Sequence, residues 1–337
     1  MAPYQDPYNV QVELVEGCNR MCDFCGIQSI WKYPKDRKIH YMDPILAERI
    51  ALDLGGWFEG RGKRVEFAMH GEPTLHPDLI HILSEFRRLY PAAQLQITTN
   101  GIKLLKGKPS IDSLMVHTNV LIIDTYDNRQ KVSELLKGVQ WPVYDYYDDP
   151  KAPNPYHYHN AKFKGIYLFR DLGSAGKKAT RVILNHAGNS DPAKLAKLGI
   201  PKIPVPLAKK CSRPFRELII HWDGTVPICC MDWRHEHIIG KFPYEGGFKK
   251  LWNKLAFQII RELLYAKDRN FLPCYRCDYN GGFRLGFLKR PGLPQNWSIP
   301  QMQAVLLRLR QDQVCYTHNN ATDPFFPAPK NIWGNKW

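Results

Sequence analysis

The chain has 337 residues, 44% of them hydrophobic, enough to bury a large core and to form more than one domain. Its 47 basic and 32 acidic residues give a net charge of +15, but the cations are dispersed, with only short clusters at 202–213 and 249–254, so a solvated basic surface competes with an anionic partner. No run of 18 apolar residues occurs and the start, MAPYQDPYN, has no basic-then-apolar pattern, which excludes a recognisable membrane span or secretory signal and predicts a cytoplasmic protein.

Strand signals recur at 10–16, 64–69, 94–98, 119–124, 143–147 and 181–184, and helical spacing at 44–57, 77–90 and 128–136. Pro44 and Pro77 suit the first turns of their helices. The alternation predicts an α/β fold, a parallel sheet with right-handed crossovers curled into a partial barrel of six βα units. Ligands of such a sheet sit at the C-terminal ends of its strands.

The first strand runs into Cys18, Cys22 and Cys25, spaced C-x3-C-x2-C. Three thiolates leave a [4Fe-4S] cluster one iron short of full cysteine ligation, so that iron can take a small molecule. A partial zinc site is the alternative, and it would want a fourth ligand, the first downstream histidine being His40. Nine cysteines in a cytoplasmic chain favour metal or redox chemistry over disulfides. The second strand enters His70-Gly71-Glu72-Pro73-Thr74, where a glycine and a proline expose backbone groups at a turn. The third enters Thr98-Thr99-Asn100-Gly101, whose small polar side chains can bond a ribose, Thr99 and Asn100 foremost, or simply make a turn. The fourth ends at Asp124. Residues 148–165, rich in proline and aromatics, read as a long loop near the barrel mouth with incidental His157 and His159.

The cysteine spacing with Phe24 before its last member, followed about one βα unit later by His70-Gly71-Glu72-Pro73, resembles the signature of the radical S-adenosylmethionine (SAM) enzymes. The resemblance implies a partial (β/α)6 barrel and a [4Fe-4S] cluster on Cys18, Cys22 and Cys25 whose open iron holds the amino and carboxylate groups of SAM. It implies reductive cleavage to a 5'-deoxyadenosyl radical that takes a hydrogen atom from substrate. Phe24, Gly71, Glu72 and Pro73 are then cofactor contacts, and His70 stands where the family has a first glycine, which brings an imidazole near SAM. Asn185, in the turn N-H-A-G-N after the last barrel strand, is expected at SAM or substrate, with His186 structural. Asp124 matches the aspartate that dehydrogenases and peptide-modifying members carry at this strand end, to orient substrate or accept a proton; a helix N-cap is the competing role.

A second constellation is Cys211-x17-Cys229-Cys230-x43-Cys274-x2-Cys277. Residues 218–221 and 226–229 flank an Asp-Gly turn and read as a hairpin, with a helix-period stretch at 248–265 before the final pair. This order resembles the Twitch form of the SPASM domain, a small β-hairpin-plus-helix unit holding one auxiliary [4Fe-4S] cluster with no open iron. A zinc ribbon on the same thiolates is the competitor. Adjacent side chains point to opposite faces, so Cys229 or Cys230 is the ligand, and the family's distance from Gly224 favours Cys229. Filling both sites would lower the net charge to roughly +12. The domain reading is core 1–205, auxiliary domain 206–285 and C-terminal extension 286–337, the last with one helical stretch at 300–311 and an aromatic tail.

The auxiliary cysteine spacing is close to that of the aminocyclitol-oxidising branch, where a closed cluster is thought to take the second electron of a two-electron oxidation. The leading expectation is an oxidoreductase acting on a hydroxylated aminocyclitol or sugar-like molecule, served by a flavodoxin or ferredoxin-type electron donor. A peptide-modifying enzyme is the runner-up, disfavoured because no peptide-recognition domain fits before residue 10. Molybdopterin chemistry ranks lower because Gly334-Asn335-Lys336-Trp337 lacks the paired glycines of that enzyme. A zinc-stabilised nucleic-acid-binding protein would explain the charge but not the two motifs together.

Overall fold

The computed structural model describes residues 5–27, 38–126, 128–146, 148–169, 185–281, 293 and 297–311. Its strands are β1 (Asn9–Val12), β2 (Val15–Glu16), β3 (His40–Tyr41), β4 (Arg64–Phe67), β5 (Gln94–Thr99), β6 (Val120–Asp124), β7 (Val143–Asp145), β8 (Gly165–Phe169), β9 (Glu217–Ile220), β10 (Thr225–Pro227) and β11 (Ile238–Lys241). Seven form one sheet in the order β7-β8-β6-β5-β4-β1-β9, every neighbouring pair parallel. The predicted parallel α/β architecture is therefore present.

Period-two alternation sorts the two faces of this sheet. Val12, Phe67, Ile97 and Ile123 enter the main core beneath the helices Pro44–Phe58 and Leu79–Leu89, where Phe67 meets Phe86 edge-on at 4.9 Å. The first of these helices starts where Asp43 accepts hydrogen bonds from the Ile45 and Leu46 amides at 2.7 and 3.2 Å, with Pro44 in its first turn. The other face carries Gln11, Glu66 and Gln96 in one cross-strand row, then turns apolar at Val120, Ile122, Tyr167 and Phe169, which form a cluster of their own.

Several expectations need correction. The strand expected at 10–16 breaks into β1 and β2, the latter pairing antiparallel with β3. A strand stands at 165–169, inserted between β6 and β7, so the strand expected fifth lies at the sheet edge. Gly-Ile-Tyr-Leu-Phe is buried along its whole length and shows no alternation to read. The expected strand at 181–184 lies outside the described residues. The loop 148–164 lies away from the mouth: the Gln94 side chain, at the start of β5, donates to the His157 carbonyl at 3.0 Å and accepts from the His159 amide at 2.7 Å. Asn119, just before β6, donates to the carbonyls of Ala161 and Phe163. Joining parallel β7 to β8 requires a return to that end of the sheet.

The hairpin reading of 218–229 also changes. The turn forms, with the Gly224 amide donating to the His221 carbonyl at 2.9 Å. Its arms part: β9 joins the sheet beside β1, with Val10 opposite Leu218, and β10 pairs with β11. All four residues of β9 are buried, which suits a parallel strand covered on both faces better than a hairpin arm. The helical stretch 248–265 divides into Gly247–Trp252 and Leu255–Tyr265, and the one at 300–311 appears as Ile299–Gln311. No described helix is long and apolar enough to cross a membrane.

Candidate functional site: two cysteine centres at one end of the sheet

The first cysteine loop leaves β2 and is stitched to the turn after β4. The Gly17 amide donates to the His70 carbonyl at 3.1 Å and the Glu72 amide to the Gly17 carbonyl at 2.9 Å. A Cβ on Gly71 would stand 2.0 Å from the Val15 carbonyl oxygen, so only glycine allows this approach. Glu72, 2% exposed, accepts from the Thr74 amide and hydroxyl at 3.0 and 2.5 Å, the Thr99 hydroxyl at 2.6 Å and the Asn100 amide at 2.8 Å. Its carboxylate thus ties the end of β4 to the end of β5, and the Thr99 hydroxyl is engaged there. Pro73 opens the short 3-10 turn that carries Thr74.

Asn100 faces the cysteines: its Nδ2 lies 3.5 Å from Cys18 Sγ and donates to Asn19 Oδ1 at 2.8 Å. Phe24 stacks on Tyr126 at 5.9 Å, and its carbonyl accepts from the Ser190 hydroxyl at 2.8 Å. Burial, then neighbouring Glu72 and Cys22, push the Cys18 thiol up to about 12. Burial likewise pushes Cys25 up to about 12. Thiols in this setting become thiolates only against strong positive charge, which a bound iron cluster supplies; the three cysteines fit that group.

Asp124 ends β6, half-buried, and burial followed by the charges of Glu72 and Glu66 raises its carboxyl to about 7. The following helix is capped at Asn128, so the N-cap role does not fall to Asp124. Tyr126, absent from the sequence reading, hydrogen-bonds Asp124 and lies under Arg20, 4.8 Å from ring to guanidinium. Asn185 is turned to the second centre: its Nδ2 donates to the Arg276 carbonyl at 2.9 Å and its amide to Asp278 Oδ2 at 2.9 Å. His70 is also turned inward, its Nε2 2.9 Å from the Cys230 carbonyl.

Cys211, Cys229, Cys274 and Cys277, each 7–8% exposed, converge from separate segments. Burial raises Cys229, and the other three of these thiols, with Cys230, raise it further. Arg269 clamps the flanking backbone, donating to the carbonyls of Lys209, Lys210 and Tyr279 at 2.9, 3.1 and 2.7 Å, and its charge opposes the rise at Cys211, Cys274 and Cys277. Cys230 Sγ instead accepts from Arg213 at 2.9 Å. Four buried thiols beside the fixed Arg269 cation fit a closed cluster. Trp233, in the loop that follows Cys229 and Cys230, forms with Ile27 a small cluster against which Cys18 and Cys25 pack, and its ring lies 4.1 Å from that of His70, centre to centre. Neither Trp233 nor Arg269 has a local sequence signal, since both act on segments distant along the chain.

Residues 12–139 match the model of the radical SAM superfamily, and residues 211–278 that of an iron-sulfur cluster-binding domain, SPASM. Molybdenum cofactor biosynthesis protein 1 of Drosophila melanogaster is 27% identical over 143 residues, 40% of this chain and 24% of that protein. GTP 3',8-cyclase of Microcystis aeruginosa is 29% identical over 98 residues, 28% of this chain and 28% of that protein. Both matches span well under a third of the relative's own length. The crystal structure of BtrN in complex with AdoMet and 2-DOIA superposes with a TM-score of 0.57 at 20% identity, over 82% of this chain and 94% of that chain. BtrN is 2-deoxy-scyllo-inosamine dehydrogenase; at this identity the likeness is one of fold. A cluster-binding match at 211–278 stands in place of the zinc ribbon. The chain thus carries a radical SAM domain, of a kind that binds a [4Fe-4S] cluster and SAM, followed by a SPASM domain, of a kind that binds auxiliary iron-sulfur clusters.

Proposed function

We propose that this chain oxidises a hydroxylated small molecule, aminocyclitol or sugar-like, at a carbinol carbon. When bound, SAM and its cluster supply a 5'-deoxyadenosyl radical, and the auxiliary cluster supplies an acceptor for one electron. Cys18, Cys22 and Cys25 would hold the first cluster and Cys211, Cys229, Cys274 and Cys277 the second. Gly71 and Pro73 would present turn backbone to SAM, Glu72 would fix that turn, and Phe24 and Asn100 would frame the pocket.

The observation that carries the substrate class is the polar face of the sheet. Gln96 is 0% exposed, yet neither its Nε2 nor its Oε1 has a hydrogen-bond partner, and Gln11 Oε1 in the same cross-strand row is likewise buried and unpaired. Buried polar atoms are nearly always paired, so this row suits a ligand rich in hydroxyl or amino groups. Asp124, its carboxyl raised to about 7 by burial, would accept the hydroxyl proton as the carbon is oxidised. The +15 charge suits an acidic electron donor of the flavodoxin or ferredoxin type.

The matches to GTP 3',8-cyclase and molybdenum cofactor biosynthesis proteins favour a second reading, a purine nucleotide substrate. The deciding experiment reconstitutes the protein anaerobically and follows 5'-deoxyadenosine release with a panel of aminocyclitols, sugars and GTP. Carbonyl product from a polyol supports the first reading; product from GTP alone replaces it with the second.

A further inference from the structure

We propose that His70, His221 and His235 form a buried binding site for one divalent first-row metal ion, separate from both cysteine centres. One ring nitrogen of each lies within 4.8 Å of one from each of the others. The three come from the turn after β4, the end of β9 and the loop after β10, so only the folded chain assembles them. His70 and His221 are 1% and 0% exposed.

A carboxylate neighbours each ring. Glu13 lies 3.1 Å from His70 Nδ1 and 2.9 Å from His221 Nδ1, and Glu16 lies 3.7 Å from His235 Nε2. Metal-ligating histidines show this arrangement, because a carboxylate on one ring nitrogen fixes the tautomer and makes the other a better donor. With Nδ1–H donated to Glu13, His221 keeps a lone pair on Nε2, and that atom is buried without a hydrogen-bond partner. A buried ring nitrogen left unpaired is destabilising, and a metal ion that displaces any proton on it satisfies it directly. His70 already uses Nε2 on the Cys230 carbonyl, so it exchanges a contact on binding, whereas His221 gives up none. Imidazoles backed by carboxylates suit Zn(II), Fe(II) or Ni(II). The same Glu13 accepts from the amides of His70 and Trp222 at 3.2 and 3.3 Å, so the ion would fasten β1, the turn that carries Gly71, β9 and the loop of the auxiliary domain together.

The test uses the full chain with both clusters reconstituted anaerobically, equilibrated with Zn(II), desalted and analysed for iron and zinc by mass spectrometry. The wild type is expected to retain about one zinc beyond its cluster iron, and His221→Asn to lose it with iron unchanged. Glu13→Gln should weaken zinc binding about 10–100-fold. Zinc X-ray absorption on the wild type reads the donor atoms without any variant, so a folding defect in His221→Asn leaves the question answerable. A nitrogen and oxygen shell upholds the site. A sulfur shell, no retained zinc, or equal zinc in wild type and variant overturns it and leaves Glu13 as the hub of a buried ion-pair network.

Discussion

The two cysteine centres are built on opposite plans. Cys18, Cys22 and Cys25 sit on one partly exposed loop, and their surroundings, Asn100, Glu72 and Asp124, come from the ends of neighbouring strands. Cys211, Cys229, Cys274 and Cys277 are all buried, drawn from three segments and braced by the Arg269 guanidinium. The first plan leaves a cluster face for a ligand; the second encloses a cluster and leaves it only electrons to exchange.

The largest test of this contrast is Cys18→Ala. It should abolish 5'-deoxyadenosine formation and lower cluster iron from about eight to about four per chain, the auxiliary centre surviving. Cys274→Ala should do the reverse, sparing SAM cleavage while product formation is lost. An anaerobic assay counting 5'-deoxyadenosine and product together checks both, and full product from Cys274→Ala would remove the electron-acceptor role.

A smaller effect is expected at Asp124, whose removal touches only the first centre. If it accepts the substrate proton, product formation rises with pH through about 7 as the carboxyl ionises, and Asp124→Asn should flatten that profile and slow the reaction roughly 100-fold or more. Linkage gives a second readout. The folded carboxyl keeps a proton up to about 7 that the unfolded chain loses near an ordinary aspartate value, so this group's contribution to stability falls as pH rises between them. Asp124→Asn should therefore be relatively more stable above pH 7, seen as a smaller loss of melting temperature between pH 5 and 8.

The plans also explain what the sequence could reveal. The first centre is legible because C-x3-C-x2-C, Gly71-Glu72-Pro73 and Asp124 each lie within a few residues, at strand ends that alternation locates. β8 escapes a reading by alternation because a strand covered on both faces has none, and the partner of β9, β1, lies about 200 residues upstream, beyond the reach of a local hairpin signal. The Glu13, His70, His221 and His235 group is invisible to local patterns for the same reason. Asn185 shows the converse: its turn suggested the cofactor, yet its side chain serves Arg276 and Asp278 beside the second centre, a choice made by packing between domains.

The finest test of the enclosed plan is Arg269→Met, which keeps the length of the side chain and removes its charge. Three carbonyls, of Lys209, Lys210 and Tyr279, lose their donors, and the buried thiols of Cys211, Cys274 and Cys277 lose the cation that opposes their rise. Charged hydrogen bonds of this kind contribute about 1.5–3 kcal/mol each, and backbone relaxation recovers part of that. The expected net loss is about 3 kcal/mol, read as a lower denaturant midpoint for the auxiliary domain, with iron lost first from that centre. Cleavage of SAM should be nearly unchanged, because no atom of Arg269 bonds to the first cysteine loop or to the Glu72 turn. A variant that instead lost both clusters together would show that the two centres fold as one cooperative unit, and that the loop carrying Trp233, which with Ile27 forms the cluster against which Cys18 and Cys25 pack, couples them more tightly than their separate construction suggests.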